Sequence, residues 1–199
     1  MMNSILGSKL SVLPILMGLI LCLTLPACTC GAPPAAQPPS AQPPAAQPPA
    51  GKLSFEATEY KNAEYGFSVK YPKDWTGKPP ATGPTAVFGA SSPAQVPAIV
   101  IDVVAGDTFK DALTSAIQGS GGSAIKIFSE NAMTLLDGTP ATEAEGAFSA
   151  QGIPFPVEAF WLGAKKGDKW VIVHVVTVSA LAEFKKDFFS EIAHTLTFK

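Results

Sequence analysis

The sequence predicts an α+β domain, a roughly six- to seven-stranded antiparallel sheet with helices packed on it. Three observations predict it. Segments with a two-residue apolar period outnumber segments with a helical one. Hairpin-type turn residues separate most of them. One segment, "WVIVHVVTV" at 170–178, is apolar on both faces, so it belongs at the covered centre of a sheet.

The first strand is "YGFSVKY". Tyr65, Phe67, Val69 and Tyr71 point to one face, and Gly66, Ser68 and Lys70 to the other. Pro72 stops it by removing a ladder donor, and Trp75 is expected to close the core edge. "AVFGA" around Phe88 is a weaker strand, and Ala98–Gly106 is apolar on nearly both faces. A helix follows. Thr108 and Asp111 have capping-box spacing, and Phe109, Ala112, Leu113, Ala116 and Ile117 form an apolar stripe. "GSGG" from Gly119 ends it. A four-strand meander is expected over Ala124–Leu135, Thr139–Ala150, Phe155–Gly163 and Lys169–Val178. Its turns are Asp137-Gly138, Gln151-Gly152 and "KKGD" at 165–168. The last helix is expected from Ala180 to Leu196 with Ser179 as N-cap. Leu181, Phe184, Phe188, Ile192 and Leu196 make its buried face, while Lys185, Lys186, Asp187 and Glu191 face out.

Residues 1–27 read as a leader. Lys9 precedes the apolar run Leu10–Leu25, which contains Pro14 and Gly18 and is shorter than a membrane span of about 20 residues. The run ends in "LPAC", Leu25 to Cys28, which resembles the lipobox of bacterial lipoproteins. The resemblance implies cleavage before Cys28 and acylation of Cys28, giving an extracytoplasmic protein held on a bacterial membrane. Cys30 is a poorer candidate because Thr29 would sit at the cleavage site. The alternative is an ordinary secretory signal. Several acyl chains hold firmly, since each buried CH2 contributes about 0.8 kcal/mol.

Residues 28–52 carry the lipidated cysteine and a linker. "AQPP" recurs every five residues between Gly31 and Gly51. Paired prolines favour polyproline II, and the extended linker would reach on the order of 65 Å. A spacer is the plain reading, and a ligand for a proline-recognition domain the sharper one. Residues 53–199 form one domain, large enough to bury about two-thirds of its unfolded surface. All three cysteines lie at positions 22, 28 and 30, so this domain has no disulfide or thiolate site. All 14 basic residues are lysine; without Lys9 the net charge of −2 becomes −3. No arginine fork is present for phosphate, which argues against nucleic acid as a partner.

Catalytic motifs are missing: no G-x-S-x-G, H-E-x-x-H or G-x-x-x-x-G-K-[ST] occurs. "GSGGS" at 119–123 reads as a helix stop rather than a phosphate cradle. His174 shares a strand face with Trp170, Ile172 and Val176, and is expected as a core imidazole bonded to a backbone or hydroxyl group. His194 falls in the last helical turn, where a cation suits the dipole. A two-histidine metal site would also need carboxylates. Asp102 is expected at an exposed strand end; if buried, it needs a partner. Glu143 and Glu145 share one strand face, expected to be solvated. Asp102, Asp107 and Asp111 are too spread for a calcium loop. No cofactor and no metal are expected.

Taken in order, three motifs resemble the PsbP/DcrB-like superfamily, whose fold is of the Mog type. They are "YGFSVKYPKDW", "LLDGTPATEAEG" (Leu135 to Gly146), and the closing "WVIVHVVTVSALAEFKKDFFSEIAHTLTF". The resemblance implies an α/β/α sandwich around an antiparallel sheet and no catalytic site. PsbP itself is an extrinsic photosystem II subunit linked to calcium and chloride retention, but no residue here matches an ion-site motif. The expectation is a lipoprotein with a non-catalytic interaction domain, accessory to a membrane or envelope complex. The alternative is carriage of a small lipophilic ligand between sheet and helix by faces such as Trp161, Trp170 and Phe188. An enzyme would need a clustered polar pocket.

Overall fold

The computed structural model describes residues 51–78 and 83–199. The leader, Cys28 and almost all of the linker lie outside them. The chain forms β1 (Ala57–Asn62), β2 (Phe67–Pro72), β3 (Thr76–Lys78), β4 (Ala86–Ser91), β5 (Ala98–Ala105), α1 (Phe109–Gly119), β6 (Gly122–Thr134), β7 (Pro140–Ala150), β8 (Val157–Lys166), β9 (Lys169–Val178), α2 (Lys186–Ala193) and β10 (Thr197–Phe198). Seven strands make one antiparallel sheet in the order β3-β4-β5-β9-β8-β7-β6. A second sheet, β1-β2-β10, has three. This is the expected α+β architecture, enlarged by the small sheet.

Alternation along the strands sorts the side chains into two cores. Ile99, Ile101, Val103, Phe160, Leu162, Val171, Val173 and Val175 face α2 and the small sheet. Val104, Ala159, Trp161 and Ile172 face α1. β9 lies fourth of seven and is covered on both sides, as its two-faced apolarity requires. The layers are therefore α1, the large sheet, and α2 with the small sheet.

Local chemistry explains α1. Thr108 accepts from the Asp111 backbone N–H and Asp111 accepts from that of Thr108, which completes the capping box. All five residues of the predicted stripe are buried. Gly163 lets the helix seat: a Cβ there would lie 2.5 Å from the Phe109 ring and 2.9 Å from Ile172 Cδ1. Trp75 is 6% exposed and touches Phe188 edge-on, so it does close the core edge.

The last helix corrects the expectation. It starts at Lys186, not Ala180, and Ser179 is not its cap; Lys185 stands there without a side-chain cap bond. Leu181 and Ala182 instead donate backbone N–H groups to the Val178 carbonyl in a turn. Leu181 is therefore exposed rather than buried. Phe189, unassigned by the stripe, is buried beside Ile192 and Leu196. β1, β3 and β10 are additions.

Candidate functional site

Asp102 does not lie at an exposed strand end. It is 1% exposed, on the α1 face of β5. The Thr85 hydroxyl donates to its Oδ1 at 2.6 Å, and His174 Nε2 lies 3.1 Å from its Oδ2, outside hydrogen-bond alignment. His174 is a core imidazole, as expected, but its partner is a carboxylate rather than a hydroxyl or backbone group. The same contacts tie the β4 lead-in to β5 and β9, since the Val103 N–H also donates to the Thr85 carbonyl.

Glu143 and Glu145 correct a second expectation. They share a face of β7, but that face meets α2 rather than open solvent. Glu143 Oε2 pairs with His194 Nε2 at 2.8 Å. Glu145 pairs with Lys186 and accepts from the Ser129 hydroxyl at 3.1 Å. The two carboxylates thus fasten both ends of α2 to the sheet. The His194 hydrogen bond holds the Glu143 carboxyl below its ordinary range, against the opposing effect of burial. The hydrogen bond that Lys186 donates to Glu145 raises the pKa of its ammonium. His194 also meets Phe160 edge-on. Because Phe160 and Trp161 point to opposite faces, His194 and His174 lie on opposite sides of the sheet.

The remaining candidates disperse. Asp111 is used in the capping box, apart from buried Asp102. Among the described residues no three His, Cys, Asp or Glu groups are placed to hold a metal. Gly119 to Ser123 stop α1 and lead into β6. The aromatic carrier face divides: Trp161 and Trp170 pack with α1, whereas Phe188 packs with Phe55 and Trp75 on the other side. No single cavity between sheet and helix can use all three.

A half-open groove of about 900 Å3 lies between the entering segment, β2 and α2. Lys70, Phe188, Glu191, His194 and Thr197 line it with Gly51–Ser54. Ser54 closes one side, donating its N–H and hydroxyl to Glu191, each at 2.5 Å.

Exposed apolar side chains mark another surface. Ile153 and Phe155 lie between β7 and β8, and are 40% and 48% exposed. Leu181, 70% exposed, follows β9. The Val157–Val178 register pair brings these two connections to the same end of the large sheet. Sequence periodicity does not mark them as exposed: it opens a strand at Phe155, whereas β8 begins at Val157, and it puts Leu181 on the buried face of the last helix, which begins only at Lys186. The prolines around Phe155 in "IPFP" were the available signal.

These layers and this strand order define the class: the domain has a PsbP-like fold. The solution structure of cyanobacterial PsbP (CyanoP) from Synechocystis sp. PCC 6803 matches with a TM-score of 0.53 at 12% identity, covering 76% of this chain and 96% of that one. A Pseudomonas aeruginosa protein of unknown function, PA94, is similar at 17% identity over 72% of this chain and 97% of its own, with a TM-score of 0.40. The likeness concerns the fold alone. The sequence matches no family model and no curated protein.

Proposed function

We propose that the chain is an extracytoplasmic lipoprotein, anchored to a bacterial membrane through Cys28, whose folded part is a non-catalytic interaction domain. It serves as an accessory to a membrane or envelope complex and binds no nucleic acid. The observation that carries this reading is the sequence Leu25-Pro26-Ala27-Cys28, placed between an apolar leader and a proline-paired spacer. The internal use of the polar groups supports it. Asp102, His174, Glu143, His194 and Glu145 each have a partner that joins one element to another. The PsbP-like fold accords with an accessory role. The absence of arginine and the net negative charge weigh against nucleic acid.

Fractionation of cells expressing the full chain tests the anchor. The wild type is expected in the membrane fraction and Cys28→Ser in the soluble extracytoplasmic fraction. Retention of Cys28→Ser on the membrane would overturn the lipoprotein reading.

A further inference from the structure

We infer that the end of the large sheet bearing Ile153, Phe155 and Leu181 docks a protein partner with an apolar recess rimmed by lysine or arginine. This rests on the accessory reading above and names the surface that serves it. Three of the five large apolar side chains that stand exposed among the described residues are Ile153, Phe155 and Leu181; the other two are Phe128 and Leu136. The three project from two adjoining connections, beyond the Val157–Val178 pair. Grouped exposed apolar residues mark interaction surfaces in a way that scattered ones do not.

The segment is built stiff. Pro154 and Pro156 fix their own φ and restrict the backbone of the preceding Ile153 and Phe155. At the other connection, the bonds from the Leu181 and Ala182 N–H groups to the Val178 carbonyl hold Leu181 in a turn. Little backbone freedom is left to lose on docking, which favours such residues as anchors. Aromatic anchors surrounded by polar residues commonly carry most of an interface's energy.

Charge selects the partner's class. Over 151–158 and 179–185 the one base is Lys185, against Glu158 and Glu183. Among the described residues neither glutamate has an ion-pair partner. An anionic lipid surface attracts basic segments and disfavours this rim. A protein recess with a basic rim complements it, and the acidic pair would set orientation and approach rate.

The test uses the full lipidated chain in cells, with a photo-crosslinking residue at 155, 181 or, as a control, the exposed Lys165. The expected result is a discrete heteromeric adduct from 155 and 181 and none from 165. Phe155→Ala, and separately the pair Glu158→Lys with Glu183→Lys, should each lower the adduct at 181 about tenfold. Thermal melting should show both variants folded. An adduct of two copies of this chain would overturn the proposal, as would equal adduct from 165 or insensitivity to the charge reversals. So would flotation of the Cys28→Ser chain with vesicles of phosphatidylethanolamine and phosphatidylglycerol that Phe155→Ala abolishes. Heteromeric adducts from other surface positions, with none from 155 or 181, would sink this surface while leaving the accessory reading standing.

Discussion

Gly163→Ala should destabilise the domain through one identifiable contact. The added Cβ would sit 2.5 and 2.6 Å from two Phe109 ring carbons and 2.9 Å from Ile172 Cδ1. Ordinary carbon contacts lie near 3.5–4.0 Å, so the ring must retreat by about 1 Å. It has little room: Phe109 is 5% exposed at the start of α1, with Leu113 and Trp170 in the same cluster. Overpacking of this kind costs about 1–3 kcal/mol, and we expect the upper half of that range because β8 and the helix are both held. Phe109→Ala alone should cost about 3–5 kcal/mol through lost burial and a cavity. The two changes are not independent. Removing the ring leaves the new methyl opposed only by Ile172 Cδ1, the movable end of a side chain, so the double variant should be more stable than additivity predicts by about 1 kcal/mol. Urea unfolding of all four proteins at one pH measures this coupling. Strict additivity would refute the claim that Gly163 is required by the Phe109 ring.

Two further predictions follow. Trp75→Ala should lower stability by about 3 kcal/mol in urea unfolding, since the ring is buried at the core edge; unchanged stability would show that it is not a core residue. Glu143→Gln should cost about 1 kcal/mol at neutral pH. Because the folded carboxyl titrates below its ordinary 4.5, its contribution is fully present above that value and is lost as pH falls through the lower folded value. The gap between wild type and Glu143→Gln should therefore narrow in unfolding series taken below pH 4.5, and a constant gap would refute the assigned role.

Most of the large sheet was legible because its central strands β5, β9 and β8 are largely buried, while β6, an edge strand with only Gly122 and Met133 buried, showed through its apolar alternation alone. β5 through β9 carry enough apolar residues for alternation to show them, and Asp137-Gly138 and Gly167 mark their turns. β1 was not legible: in "ATEYKN" Tyr60 is the one large apolar residue, and the strand is specified by pairing with β2 rather than by its own pattern. β3 and β10 are too short for periodicity to register. The start of α2 was misread for a different reason. "SALAEF" has helical spacing, but the chain must first turn out of β9, and the bonds to the Val178 carbonyl satisfy that turn before any helix begins.

Asp102 shows where sequence reasoning about sites stops. Its strand pattern gave the correct face, shared with Val100 and Val104, but a face does not tell whether a carboxylate is covered. Covering depends on α1, and tolerance of burial depends on Thr85 and His174, which are far away in the chain and adjacent only through the β4-β5-β9 order. The same applies to Glu143 and Glu145, whose partners arrive with α2. The burial of Asp102, Glu143 and Glu145 is therefore a weak sign of catalysis in this domain, because each can be accounted for by a junction it closes. Removing one member leaves a polar group unmatched and is costly, whereas the intact pair can add little net stability. A pair of this kind is better understood as fixing which elements adjoin. Unlike these groups, Ile153, Phe155 and Leu181 stand exposed at the end of the sheet, which is why the proposed docking surface is built on them.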